Sequence, residues 1–389
     1  MPRLLIVTTV AATLRAFLLP YARRFRALGW RVDALARDAS NTPGCIEAFD
    51  ACHDVALSRQ PWRLRGVRSS SAAIRALVSR EGYDIVHVHT PVAAFVTRMA
   101  LRELRRAGSP KVVYTAHGFH FHRGGHPLKN AVFLNLERLA ARWTDRLIVI
   151  NAEDRDAAVR WLMPPERVVH MPGIGLDLRA WDREAVISGD VSVRDELGLD
   201  DGDALFLMVA SFDPGKRHRD ALDALALTGR SDIHLALAGT GPLEDDVRAQ
   251  AARLGVAGRV HFLGRRDDVP RLMLASLATV LPSEREGLNR SVMESIALGV
   301  PVLGAGARGI RDLITDPSRG VLFPVGDASA LAKAMVEIAD DPPKERPRPD
   351  PAWDIEGLLR AHEALYAGLI STPRAAPPTA TRGGQSDLA

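Results

Sequence analysis

LATVLPSEREGLNRSVMESIALGVPVLGA, residues 277–305, places two short apolar runs on either side of a charged stretch with helical spacing. Residues 277–283 read as a strand, 291–298 as a helix and 300–305 as a second strand. Short apolar strands separated by helices argue for a parallel sheet covered on both faces. Between the strands, EREGLNRSVME (284–294) carries three carboxylates, two arginines and a glycine. One reading is an ordinary helix start, with Ser291 and Glu294 as a capping box. The other is a strand end presenting a polar site, where ligands of open α/β sheets bind.

The same alternation extends outward in both directions. Before this unit, 204–210, 233–239 and 259–264 read as strands, and 219–227, 243–254 and 269–275 as helices. After it, 320–325 reads as a strand and 328–339 as a helix. The first half repeats the pattern, with strands at 4–8, 31–35, 84–88, 111–115 and 146–150. Its helices are expected at 14–28, 72–79, 92–106, 128–142 and 154–162. The turn-rich and polar residues between 173 and 203 interrupt the alternation. The expectation is therefore α/β, with two doubly wound domains and the default site in the cleft between them. The first domain is placed at 1–185, a linker at 186–203 and the second domain at 204–340. A proline-rich link and a closing helix follow at 341–370, then a disordered tail at 371–389.

A length of 389 residues suits two domains, and 47% hydrophobic with 25% charged residues is globular composition. Cys45 and Cys52 are too few for a disulfide framework and read as reduced thiols. The start is too short for a signal peptide, and no apolar run approaches the roughly 18–20 residues of a membrane span. Residues 1–190 hold 28 Lys and Arg against 18 Asp and Glu, whereas 191–389 hold 23 against 29. A basic half suits an anionic membrane surface or a phosphorylated substrate, unless arginine is simply abundant in this composition. No helix-turn-helix, zinc or base-stacking motif is present, so nucleic acid is not expected.

The chemistry-bearing segments follow predicted strands. In SFDPGKRH (211–218), Lys216 stands just before a helix, where an anion is already favoured. A lysine there suits a diphosphate; the plain alternative is a solvated lysine in a Pro-Gly turn. In AGTGPL (238–243), Gly239 and Gly241 would let a ligand approach the backbone, although this is neither GxGxxG nor a P-loop. YTAHGFHFH (114–122) holds His117, His120 and His122 but no carboxylate or cysteine, so a sugar-site loop is favoured over a metal site.

Glu286 and Glu294, set within LPSEREGLNRSVMESIALGVPVLGAGARGIRDLI (281–314), carry a family likeness. The stretch resembles the retaining glycosyltransferases of family 4, which have the GT-B fold of two Rossmann-like domains facing a central cleft. The likeness covers most of the chain, through MVASFDPGKRH, LALAGTGPLEDDVRAQAARLG, RVHFLGRRDDVPRLM and GVLFPVGDASALAKAM in order. In the first half, DIVHVHTPVAAFVTRMA and VVYTAHGFHFHRGGHPLKN look like the subset that builds capsular and extracellular polysaccharides.

The resemblance implies roles for individual residues. Glu294 would hold the donor ribose; Glu286, Gly287, Leu288 and Asn289 the transferred sugar; Lys216 the diphosphate; and Arg265 the nucleobase. His117, Lys216 and Glu286 would be the catalytic groups. Ser211 stands where the family often has an arginine, so that phosphate contact would be missing or replaced by Arg217, and Asn289 stands where proline is common. Thr13, Arg15, His120 and His122 would lie on the acceptor side. No cofactor or metal is implied. The partners implied are a nucleotide diphosphate sugar, with UDP favoured, and a polyprenyl-diphosphate-linked acceptor met by a cytoplasmic protein at the membrane. Arg15, Arg23, Arg24, Arg26, Arg102, Arg105 and Arg106 would form the patch for anionic lipid. Rival readings are a glycosyltransferase for a soluble secondary metabolite, a sugar-nucleotide epimerase on the same scaffold, and a silent binding subunit.

Overall fold

The computed structural model describes residues 1–57, 64–187 and 193–371. The expected tail, beyond residue 371, lies outside the described residues, as does the middle of the expected linker. The first sheet has seven strands: β1 (Arg3–Val10), β2 (Arg31–Arg37), β3 (Ala51–Asp54), β4 (Ile85–His89), β5 (Lys111–Ala116), β6 (Arg146–Val149) and β7 (Val168–His170). Their order is β3-β2-β1-β4-β5-β6-β7. The second has six: β8 (Ala204–Val209), β9 (Ile233–Ala238), β10 (Val260–Gly264), β11 (Ala278–Leu281), β12 (Val302–Ala305) and β13 (Gly320–Phe323). Their order is β10-β9-β8-β11-β12-β13. Pairing is parallel between β1 and both of its neighbours, and throughout the second sheet. The β1 strand is buried almost end to end and the β8 strand likewise, as strands covered on both faces must be.

In each sheet the chain reverses its direction of winding at the first strand. β1 sits between β2 and β4, and β8 between β9 and β11. At such a point the loops at the strand ends diverge and leave a crevice, so the fold puts the loops after β8 and β11 beside one another.

Departures from the sequence reading have local causes. Strands β3 and β7, and the helix Pro43–Ala48, were not expected. The strand β3 reads ACHD and β7 has three residues, so neither shows an apolar alternation. The helix expected from residue 72 begins at Leu64. The helix expected at 14–28 is three pieces: Ala11–Thr13, a wider π-turn at Leu14–Leu18, and Leu19–Ala27. Pro20 lies in the first turn of the last piece, where its missing N–H costs nothing but forces the ladder to restart.

The chain divides into two compact units. One comprises Met1–Tyr114, Leu139–Arg146 and the closing helix from Arg360 onward; the other comprises Thr115–Arg138 and Leu147–Leu359. In the second, Val193 and Leu199 from the expected linker are buried against Leu205, Leu207 and Leu272, so this part is core and not spacer. In the first, the closing helix Ile355–Ser371 brings Tyr366 into the interior. The Tyr366 ring lies 4.9 Å from that of Phe25, and its hydroxyl lies 2.5 Å from His87 Nδ1. Glu363 pairs with Arg24 at 2.6 Å.

Ion pairs engage part of the expected lipid-binding patch. Arg26 is bound to Asp50 at 2.9 Å, Arg105 to Asp145 at 2.7 Å and Arg102 to Glu103 at 3.4 Å. Four of the seven arginines thus have carboxylate partners, and Arg15, Arg23 and Arg106 are exposed. Among the described residues no helix is long and apolar enough to cross a membrane.

Candidate functional site

Two loops of the second unit meet at the winding reversal. After β8 the chain makes the tight turn Pro214–Lys216, and Arg217 follows with a left-handed φ of 55° before the helix His218–Leu227. A non-glycine residue in that region is strained, and such strain persists only where its surroundings hold it. Here Arg217 is clamped to Asp220 at 2.5 Å and lies 3.9 Å from Glu284. The Glu284 N–H donates to the Gly215 carbonyl at 3.1 Å, which joins the loop after β11 to the loop after β8. Lys216 then reaches Glu286, with Nζ 2.6 Å from Oε1. Ser211, expected among the donor-binding residues, donates its hydroxyl to Asp213 at 2.5 Å.

Gly239 and Gly241 are held to glycine by the backbone that follows β8. A Cβ on Gly239 would stand 2.0 Å from the Ala210 carbonyl oxygen, and one on Gly241 would stand 2.6 Å from the Phe212 nitrogen. The absent side chains admit the neighbouring backbone after β8, so these glycines serve packing of loop on loop. Beside them a cavity of about 290 Å³ is lined by Ser211, Gly239, Thr240, Arg265 and Arg266. The Arg265 side chain is 74% exposed, whereas Arg266 is tied to Glu196 and Asp268.

Glu294 is buried beside Arg290, whose Nε lies 2.7 Å from Oε1. Burial pushes its carboxyl pKa up, and Arg290 opposes the shift. The capping-box reading fails. Asn289 caps the helix Arg290–Ala297, accepting from the Val292 N–H at 3.1 Å, while Ser291 donates to the same Asn289 oxygen at 2.7 Å. Asn289 Oδ1 is thus engaged in the cap. Leu288 packs into the core formed by Val292, Met293 and Ile296. That frees Glu294 from a capping role and makes its burial a feature that needs another explanation.

The loop 117–121 is fastened to the Glu286–Gly287 peptide by residues that the sequence did not single out. A Cβ on Gly287 would lie 2.0 Å from the His117 carbonyl oxygen, and one on Gly309 would lie 2.2 Å from the Gly287 oxygen. Asn151 donates to the Gly287 carbonyl at 3.1 Å and to Asp154 at 2.9 Å. Arg308 lies at the centre: it pairs with Asp154 at 2.9 Å and donates to the carbonyls of Phe119 at 2.9 Å and Glu286 at 3.2 Å. Both members of the pair are buried. Burial raises the Asp154 pKa and lowers that of Arg308, so desolvation outweighs their attraction in each case. His120 lies edge-on to Phe133 at 4.9 Å, and His122 Nδ1 is 2.9 Å from the Arg123 carbonyl. Among the described residues no three His, Cys, Asp or Glu side chains gather to hold a metal ion. Thr13 and Arg15 belong to the other unit, Thr13 half-buried and Arg15 exposed.

Burial lowers the His117 pKa to about 4. The same cause, reinforced by Lys216, lowers that of His218 to about 4. A folded pKa below the unfolded value of about 6.5 means that the unfolded chain binds more protons between the two. The contribution of these imidazoles is therefore complete above pH 6.5 and is lost as pH falls toward 4. Histidine-selective NMR is expected to show both rings neutral from pH 8 down to 5. A ring that titrates near 6.5 would mean that burial does not set its pKa.

Comparison with known proteins is consistent along the whole chain. The family described as Glycosyl transferase 4-like domain matches residues 13–173, and that described as Glycosyl transferases group 1 matches residues 192–350. The Bacillus subtilis protein named "Putative glycosyltransferase EpsD" is 31% identical over 87% of this chain and 88% of its own length. An Escherichia coli enzyme, UDP-Gal:alpha-D-GlcNAc-diphosphoundecaprenol alpha-1,3-galactosyltransferase, is 30% identical over 70% of each chain. Among solved structures, sucrose-phosphate synthase of Thermosynechococcus elongatus superposes with a TM-score of 0.76 at 19% identity, covering 96% of this chain and all of the other. Anabaena HepE in complex with UDP and glucose gives 0.72 at 20% identity, covering 95% and 97%.

Proposed function

Because the chain belongs to the GT-B glycosyltransferases of the family 4 type, we propose that it moves a hexose or N-acetylhexosamine from a nucleotide diphosphate sugar, UDP by preference, to a polyprenyl-diphosphate-linked glycan. The observation that carries this reading is the 2.6 Å contact between Lys216 and Glu286 at the winding reversal. A cation and an anion held together there are two halves of a donor site. An arriving diphosphate competes for Lys216, beside the N-terminus of the helix His218–Leu227, and Glu286 is left to accept hydrogen bonds from the sugar hydroxyls. The charge that develops on the departing diphosphate meets donors already in position, which is where most such catalysis originates. The acceptor oxygen bonds to the anomeric carbon on the face from which the diphosphate leaves. Its proton passes to a diphosphate oxygen, and the configuration is retained. His117, neutral at physiological pH, lines the approach as a hydrogen-bonding group and adds no charge. The lipid-linked acceptor is supported by the name of the E. coli relative.

The test is a panel of UDP-, GDP- and ADP-sugars incubated with lipid-linked and water-soluble acceptors, with products identified by mass. Elongation of the lipid-linked primer is expected. Release of an altered free nucleotide sugar without an acceptor would instead make the protein an epimerase, and elongation of the soluble acceptor alone would refute the lipid reading. In the same assay Glu294→Gln is expected to raise donor KM about tenfold, the scale of one charge-assisted hydrogen bond. An unchanged KM with a lower Tm would return Glu294 to a structural role.

A further inference from the structure

One helix of the first half of the chain leaves several of its aliphatic side chains in solvent. In the helix Pro127–Ala141, Ala140 and Ala141 are buried and Phe133, Leu134 and Glu137 half-buried. The larger aliphatic side chains point outward: Leu128 is 70% exposed, Val132 52%, and Leu136 and Leu139 39% each. Their spacing of four, four and three residues makes one continuous ridge. Scattered exposed leucines need no explanation, whereas a contiguous ridge rimmed by polar groups marks an interaction surface.

The rim says what kind. At 100° per residue, Lys129 falls on one side of the ridge and Arg138 on the other, and both are exposed. Asn135 is the polar residue in the exposed arc, and the one acid of the helix, Glu137, is half-buried on the opposite side. Of the nearby carboxylates, Glu153 is paired with Arg311 at 3.0 Å, Asp154 with Arg308 at 2.9 Å and Asp156 with Arg155 at 3.0 Å, while Asp312 accepts from the Ala152 N–H at 2.8 Å. Arg138 is held in place by its bond to the Trp161 carbonyl at 3.3 Å, and Trp161, itself 40% exposed, follows at the end of the adjoining helix. An outward apolar ridge with one cation on each side and an aromatic residue nearby is a surface that can rest against anionic headgroups.

We propose that the face Leu128, Val132, Leu136 and Leu139 of this helix is a membrane-docking surface, selective for anionic lipid through Lys129 and Arg138. It is an element separate from the expected arginine patch. It gives the lipid-linked acceptor reading its physical location and rests on that reading only for its purpose.

The experiment is vesicle flotation with the full chain, using phosphatidylcholine alone and phosphatidylcholine with about a third phosphatidylglycerol, both free of donor and acceptor. The wild type is expected to float with anionic vesicles and to be released as salt screens the charges. The triple variant Leu128→Gln, Val132→Thr, Leu136→Gln is expected to lose at least ninetenths of that binding at unchanged Tm. Lys129→Glu with Arg138→Glu should abolish the preference for anionic lipid. Wild-type protein that ignores both vesicles, or a triple variant that floats normally, overturns the proposal. So does a wild-type dimer that the triple variant converts to monomer, since a second copy would then cover the ridge. Because no acceptor is present, failure here is separate from failure to elongate a lipid-linked primer.

Discussion

Lys216→Ala is expected to lower kcat by about two to three decades, the scale of removing one group that stabilises developing charge. The geometry makes this substitution selective. Lys216 is a quarter exposed, with its charge matched by Glu286, so its loss creates no cavity in the core and no unpaired cation. Glu286 loses its partner and then faces the donor's diphosphate as a bare anion, so donor KM should rise along with the fall in kcat. Arg217, the neighbouring cation, is held by Asp220 at 2.5 Å and is not free to take over. Single-turnover kinetics with far-UV circular dichroism as the folding control decides the matter. Turnover within threefold of wild type would move the diphosphate away from the loop after β8.

Arg308→Met is expected to cost about 3–5 kcal/mol of stability, because removing one partner of a buried ion pair leaves the other charge uncompensated. Asp154 would remain buried, and the carbonyls of Phe119 and Glu286 would lose a donor. Burial already pushes both pKa values against the charged forms, so the pair contributes little net stability as a unit. The double variant Asp154→Asn, Arg308→Met should therefore be more stable than Arg308→Met alone, and a double-mutant cycle in urea measures that coupling. A single-variant loss under 1 kcal/mol would mean that water reaches the pair. What the pair secures is geometry: it holds the loop carrying His117 against the peptide that carries Glu286, within one unit.

The strands of both sheets were legible because five or six apolar residues in a row, bounded by turns, have few other readings. DIVHV, KVVYT and ALFLMVA were placed to within a residue or two of β4, β5 and β8. The edge strands β3 and β7 were not, since an edge strand of three or four residues needs no apolar pattern. At the site, Lys216 and Glu286 stood out as residue types in suggestive positions, but their contact spans 70 positions and exists only once β8 and β11 are neighbours. Asp154, Asn151 and Arg308 gave no signal at all. Each looks like an ordinary polar residue near a helix start, and its meaning comes from closure in three dimensions. The capping box was misread for a related reason. Ser291 and Glu294 have the right spacing, yet Asn289, two residues earlier, is the stronger cap and takes the position.

The burial of Tyr366 among Phe25, Trp30 and His87 imposes an order of events during synthesis. The first 114 residues leave the ribosome early, but the side chain that covers those aromatic rings is made some 250 residues later. At 5–20 residues per second the delay is roughly ten to fifty seconds. Through that interval the nascent first unit carries an uncovered aromatic surface, which a chaperone can hold and a neighbouring nascent chain can stick to. A chain released before Tyr366 never closes it, so a stop codon in the last helix would be felt as aggregation of the opposite end of the polypeptide.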